Sequence, residues 1–266
     1  MRVVLLIPAC TGLSCCRDFP GSVVGMTKNI ALITGANKGI GFEIARQLGG
    51  TVLIGARSEE RGAAAAEALR AQGVDAHAVR LDVTDEATIE TAAKWIDATY
   101  GRLDVLVNNA GIIAMSATDY RPPTETLVAS VRETYETNVF GVIAVTNAML
   151  PLLRRSEAGR IVNMSSELGS LAASADPSSP FYPTNLLPYN TSKTALNGIT
   201  IAYAKELRDT PIKVNAVTPG YCATDLNGHS GPRSAEQGAV IAVRMATVGA
   251  DGPTGGFFND DGAVAW

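Results

Sequence analysis

Tyr189 and Lys193 stand four residues apart in the run Tyr189-Asn190-Thr191-Ser192-Lys193, and the residues that follow read as a helix. Positions four apart on a helix are neighbours on one face. A phenol, with a reference pKa of ~10, is a poor acid or base at neutral pH. A nearby ammonium stabilises the phenolate and brings that value toward the working range. The pair is therefore a candidate proton-transfer device. Taken alone, the same spacing reads as well as a half-buried aromatic beside a solvated lysine. The partners that the rest of the chain supplies decide between the two.

From Met26 onward, apolar runs of strand length alternate with helical patterns. Strands are expected at Ile30 to Thr34, Thr51 to Ala56, Val74 to Leu81, Leu103 to Val107, Arg160 to Met164, Ile212 to Val217 and Gly255 to Phe258. Helices are expected from Phe42, from Ser58 as a cap, from Thr84 or Asp85, from Thr126 to Leu153, through Tyr189 to before Pro211, and to Thr247. This alternation predicts an α/β fold, a Rossmann-type doubly wound parallel sheet of about seven strands with helices on both faces, in a single domain over 26–266. In such sheets ligands bind beyond the carboxyl ends of the strands. Gly35 to Gly41, Arg57, Asp82, Asn109, Ser166 and Thr218 to Thr224 fall at those ends.

Gly35, Gly39 and Gly41 lie between the first strand and the first helix. Glycines there let the backbone turn tightly and approach a pyrophosphate at the helix N-terminus. An acid at the end of the second strand would accept from a ribose 2′-hydroxyl and favour NAD. The chain has Ala56 and Arg57 instead, with Lys38 inside the glycine turn. Two cations without an acid suit a 2′-phosphate. NADP(H) is the expected cofactor and NAD(H) the alternative. Asp82 is either an acceptor for the adenine amino group or a helix-capping acid. Asn109 is a candidate to lie against the adenosine ribose, and Asn108 reads as structural.

The long helix carries an apolar stripe, Leu127, Val131, Tyr135, Asn138, Val142, Val145 and Met149, which places Asn138 on a buried face. A buried amide without partners costs ~1–3 kcal/mol, so Asn138 is expected to have one inside the protein.

The 266 residues are 46% hydrophobic and 18% charged, with a formal net charge of -4 and no long Lys/Arg run. The balance disfavours nucleic acid and anionic membrane as partners. Cys10, Cys15, Cys16 and Cys222 form neither a disulfide framework nor a metal spacing, so no metal is expected and a reducing, cytoplasmic location is. No apolar run is expected to span a membrane. Residues 1–25 read as an N-terminal extension ahead of Met26, with a loose likeness to a lipoprotein leader as the rival reading.

Together, TGANKGIG (34–41), NNAG (108–111), TNVFG with Asn138, VNMSS (162–166), YNTSK (189–193) and PGYCATD (219–225) resemble the short-chain dehydrogenase/reductase family, from Lys28 to the C-terminus. Lys38 with Arg57, and the ending at Phe257, Phe258 and Trp266, are most similar to the NADPH-dependent carbonyl reductase branch. The resemblance implies catalytic roles for Asn138, Ser166, Tyr189 and Lys193. Tyr189 would be the acid in reduction and the base in oxidation. Lys193 would lower its pKa and hold the nicotinamide ribose, and Ser166, rather than Ser165, would bond the substrate oxygen. Asn138 would hold a water that links Lys193 to solvent. The implied cofactor contacts are Gly35, Asn37, Lys38, Gly39, Ile40, Gly41, Arg57, Asp82, Val83, Asn109, Tyr189, Lys193, Cys222 and Thr224, with Cys222 and Thr224 facing the nicotinamide carboxamide.

One departure stands out. Between Ser166 and Tyr189 lie 22 residues, with four prolines, Phe181 and Tyr182. Many family members have a shorter segment. In carbonyl-reductase-like members a longer one covers a helix used for oligomerisation, so a monomer or dimer is expected rather than the usual tetramer. Phe181 and Tyr182 either line the substrate pocket or pack the loop. The expected activity is NADPH-dependent reduction of a ketone or aldehyde. The alternatives are an alcohol dehydrogenase working oxidatively and a non-catalytic dinucleotide sensor.

Overall fold

The computed structural model describes residues 29–114 and 121–266. The N-terminal extension and Cys10, Cys15 and Cys16 lie outside the described residues. The strands are β1 (Ile30–Thr34), β2 (Thr51–Ala56), β3 (Asp75–Arg80), β4 (Val105–Asn108), β5 (Arg160–Met164), β6 (Lys213–Val217), β7 (Phe257–Asn259) and β8 (Gly262–Ala263). They form one sheet in the order β3-β2-β1-β4-β5-β6-β7-β8. All pairs are parallel except β7 with β8. The expected seven strands are present. The eighth is a two-residue antiparallel edge piece, too short to leave a periodic signal.

The helices are α1 (Gly39–Leu48), α2 (Glu59–Arg70), α3 (Glu86–Tyr100), α4 (Val128–Tyr135), α5 (Gly141–Leu153), α6 (Leu171–Ala175), α7 (Leu187–Glu206) and α8 (Ala235–Ala246). Strand side chains alternate between the two faces of the sheet. Thus Ala31 and Ile33 pack with Ile44, Leu69, Ile241 and Met245 of α1, α2 and α8. Ile30 and Leu32 pack on the other side with Ile89, Ile96, Met149 and Leu153 of α3 and α5. Burial on both faces explains why these strands read as unbroken apolar runs. Leu32 is fully buried at the centre of the sheet, between β2 and β4, so truncating it to alanine would cost about 2–5 kcal/mol.

The expected single helix from Thr126 is in fact α4, one turn of π-helix (Glu136–Phe140) and α5. The wider turn shifts the helical register. Asn138, Val142, Val145 and Met149 are buried as expected, whereas Leu127 is exposed and Thr134 takes the buried position before the turn. Val128–Leu153 has the length and mean hydropathy (1.3) of a membrane span, contrary to the expectation that no run would. Val145, Met149, Leu152 and Leu153 of this stretch pack under the sheet, whereas Val128 and Phe140 are exposed.

Capping follows the local sequence. Ser58 Oγ accepts from Arg61 N at 3.3 Å to start α2. Asp85 Oδ1 accepts from Ala87 N at 3.0 Å to start α3, so the capping acid is Asp85 and not Asp82. Pro188 sits in the first turn of α7, where a missing N–H costs nothing. The buried face of α7 is Tyr189, Ser192, Lys193, Leu196, Asn197, Thr200 and Ala204. Lysine and asparagine are seldom buried, so this polar seam needs partners.

Candidate active site

β5 brings its carboxyl end against α7. Met164 O accepts from Lys193 Nζ at 2.7 Å. Ser165 N bonds Val217 O at 2.7 Å, and Ser165 Oγ donates to Asn197 Oδ1 at 2.6 Å. That pins Ser165 inward. Ser166 then caps a short 3-10 turn (Glu167–Gly169), its Oγ accepting from Leu168 N at 3.2 Å. The turn lies tightly on α7. A Cβ on Gly169 would come within 2.7 Å of Lys193 C and Cβ. Gly169 O accepts from Thr194 Oγ1 at 3.0 Å and from Asn197 Nδ2 at 3.2 Å. In this arrangement the Ser166 hydroxyl is near enough to the Tyr189 phenol to favour its ionised form.

Tyr189 and Lys193 are both buried, and Lys193 Nζ lies 5.5 Å from the centroid of the Tyr189 ring. Burial raises the phenol to about 12; the Ser166 hydroxyl opposes that rise and the Glu167 charge adds to it. Burial also lowers Lys193 to about 8. The cation sits over the ring and is anchored to a backbone carbonyl, and burial is the largest cause of the phenol's rise. At neutral pH the pair is a neutral phenol beside a protonated amine.

Asn138, fully buried on the π turn, has its partners. Its Oδ1 accepts from Ile112 N at 2.8 Å, and its Nδ2 donates to Ile112 O at 2.9 Å and to Ser192 Oγ at 3.0 Å. Ser192 Oγ in turn donates to Tyr189 O at 2.8 Å. A Cβ on Gly111 would lie 3.4 Å from Asn138 Oδ1 and 3.5 Å from Lys193 Nζ. Asn138, Gly111, Ser192, Lys193, Tyr189 and Ser166 thus converge on one spot at the carboxyl ends of β4 and β5.

The glycine turn faces the same edge. Gly35 and Gly39 have φ of +66° and +58°, the left-handed region that favours glycine. A Cβ on Gly41 would strike Asn109 Nδ2 at 2.5 Å and Gly35 O at 2.8 Å. A Cβ on Gly39 would meet Thr224 Cγ2 at 3.9 Å, so the turn and the loop after β6 lie side by side. The first turn of α1 has no side-chain cap, which suits its N–H groups to an anion. These residues fit the pyrophosphate of a nicotinamide dinucleotide.

The other expected cofactor residues are spread along the same edge. Asn109 Nδ2 donates to Thr34 O at 2.9 Å and Gly35 O at 3.3 Å, so it fastens the glycine turn to β4. Asn108 bonds Thr146 and Asn163, as a structural residue does. Asp82 Oδ1 accepts from Thr84 N and Oγ1, at 3.0 and 2.8 Å. Val83 packs under Gly141, Ile40 packs against the core, and Asn37 is half-buried. Arg57 is exposed at the end of β2. Lys38 is ion-paired with Asp225, whose other oxygen meets His229 Nε2 at 2.8 Å. The Cys222 thiol donates to Pro219 O at 3.2 Å and lies where a Cβ on Gly238 would stand, so it is directed at α8. The insertion holds α6 and is tied to the far end of the chain. Ser170 Oγ donates to Ala265 O at 2.8 Å, and Ala172 N donates to Trp266 O at 3.0 Å. Tyr182 is exposed and Phe181 half-buried.

Sequence reasoning missed Glu167, Gly169, Ser192 and Asp225. Their parts depend on contacts with distant segments. Only Glu167 had a local signal, an acid directly after the serine pair.

A doubly wound sheet, a glycine turn leading into a helix, and a Ser-Tyr-Lys cluster at the strand ends define a nicotinamide-dinucleotide-dependent oxidoreductase acting on CH–OH/C=O groups. Residues 29–235 match the short chain dehydrogenase family, and the chain belongs to it. It is 38% identical over 248 residues to a short-chain dehydrogenase of Penicillium roqueforti, covering 90% of this chain and 96% of that one. The structure of salutaridine reductase from Papaver somniferum is similar at TM-score 0.74 and 32% identity, over 87% of this chain and 99% of that one. NADPH-bound carbonyl reductase from chicken fatty liver is similar at TM-score 0.76 and 25% identity, over 90% and 99%.

Proposed function

We propose that the protein reduces a ketone or aldehyde to an alcohol with NADPH, using Tyr189 as general acid. The observation that carries this reading is the convergence of Ser166, at the end of β5, with the buried Tyr189 phenol and the Lys193 ammonium, which lies 5.5 Å from the centre of the Tyr189 ring. A carbonyl oxygen set between the two hydroxyls would receive two donors. As the carbon is reduced, its oxygen gains negative charge, and donors already in place stabilise that charge without reorganising. Tyr189 gives up its proton to the oxygen. Lys193, still protonated at neutral pH, offsets the phenolate left behind. Asn138 and Ser192 hold the start of α7 in place through Tyr189 O. A nicotinamide dinucleotide, whose pyrophosphate the glycine turn would hold, would supply the hydride.

Reduction needs Tyr189 to hold its proton before the reaction, and burial, which raises the phenol to about 12, keeps it protonated at neutral pH while making it a weaker acid than a free phenol. The 2′-phosphate preference rests on Arg57 and Lys38 at the end of β2 and in the glycine turn, with no acid at Ala56. The NADPH found in the related carbonyl reductase supports it too.

Tyr189→Phe tests the mechanism. It should bind NADPH as the wild type does and lose about 10²–10⁴ in kcat. Full turnover would overturn the acid role. Fluorescence titration tests the cofactor, and tighter binding of NADH than of NADPH would overturn the preference.

A further inference from the structure

Glu167 follows Ser166 directly and lies on the turn that faces α7. Thr218 Oγ1, at the end of β6, donates to its Oε2. The carboxylate is thereby tied between the turn that carries Ser166 and the start of the loop that carries Cys222 and Thr224. Burial is the main cause that raises the Tyr189 phenol and the Cys222 thiol, and the Glu167 charge adds to the rise of each. Glu167 is partly open to solvent, and it makes no ion pair with any described residue.

The nearby cations are engaged elsewhere. Lys193 is 4% exposed and held by Met164 O beneath the phenol. Arg233 is paired with Asp260. Apart from the Lys193 ammonium beneath the phenol, a molecule reaching Ser166 from the side of the loop after β6 thus meets the Glu167 carboxylate, which has no cationic partner among the described residues. A half-buried charge acts more strongly than one on an open surface.

We propose that Glu167 sets the charge preference of the substrate pocket, so that neutral and cationic carbonyl compounds are taken and carboxylate-bearing ones are turned away. This rests on the reading that Ser166 and Tyr189 bind the carbonyl oxygen. Glu167→Gln isolates the charge, because the amide oxygen of glutamine still accepts from Thr218 Oγ1.

The test compares kcat/KM, with NADPH, for para-carboxybenzaldehyde, its methyl ester and para-trimethylammonio-benzaldehyde. In the wild type the ester should exceed the carboxylate. In Glu167→Gln the carboxylate-to-ester ratio should rise about tenfold and the ammonium-to-ester ratio should fall. Glu167→Asp, which keeps the charge, should leave both ratios near the wild-type values. Ratios unchanged in Glu167→Gln would overturn the proposal, while ester reduction would leave the carbonyl reading standing. A wild-type enzyme that reduces none of the three would overturn that reading and the proposal with it.

Discussion

Lys38 of the glycine turn is ion-paired with Asp225 of the loop after β6. The two residues are 187 positions apart. The pair joins the two segments at the surface. It also holds one of the two cations read as 2′-phosphate ligands.

Asp225→Asn should therefore release Lys38. NADPH should bind a few-fold tighter while NADH changes less, because only the former carries the extra phosphate. Equilibrium fluorescence titration with both cofactors checks this. An equal gain for both would mean that Asp225 restrains the loop and does not compete for Lys38.

The two serines at the end of β5 should separate cleanly. Ser166→Ala removes a donor from the developing oxyanion and should lower kcat by about 10²–10³ with little change in stability. Ser165→Ala breaks the buried bond to Asn197. It should cost ~1–3 kcal/mol in denaturant unfolding and leave far more of kcat intact. The reverse pattern would exchange their roles.

Lys193 gives a pH signature. Burial lowers its pKa from 10.5 to about 8, so the ammonium is charged below that value and neutral above it. Reductive kcat/KM should hold below about pH 8 and decline as the charge is lost. In Lys193→Arg, whose guanidinium stays charged, the residual activity should lack that decline. Stability should move the other way. From about pH 8 toward 10.5 the folded protein sheds this proton before the unfolded chain does, so unfolding becomes harder over that window. Denaturant midpoints measured across it, with Lys193→Met as the flat control, would show the slope.

Gly169→Ala should report the fit of the serine turn on α7. The added methyl would lie 2.7 Å from the Lys193 backbone carbon. Such overpacking typically costs 1–3 kcal/mol, and here any relief must move the turn that carries Ser166. Both the melting midpoint and kcat should fall, with NADPH affinity kept. A melting loss without a kcat loss would separate the turn from the chemistry.

The sequence by itself determined the sheet and most of the helices. Runs such as IALIT and TVLIGA are apolar at every position because each strand is covered on both faces. Helix starts at Ser58 and Asp85 are set by side chains that bond their own backbone within a few residues. Clustering of polar residues at the strand ends was legible for the same reason, since alternation of strands and helices fixes which ends face the ligand. The shared face of Tyr189 and Lys193 and the buried position of Asn138 follow from helical period alone.

Only the tertiary structure decided the rest. Ser165 turns inward because Asn197, thirty-two positions away, accepts its proton. The π turn at Asn138 shifts the register of a helix that reads as unbroken. Lys38 finds Asp225 and not open solvent. The phenol of Tyr189 rises chiefly because it is buried, with the Glu167 charge adding to the rise. Each of these depends on desolvation or on a partner brought from elsewhere in the chain. Spacing along a sequence carries neither quantity, because burial and long-range partners exist only once the segments are packed.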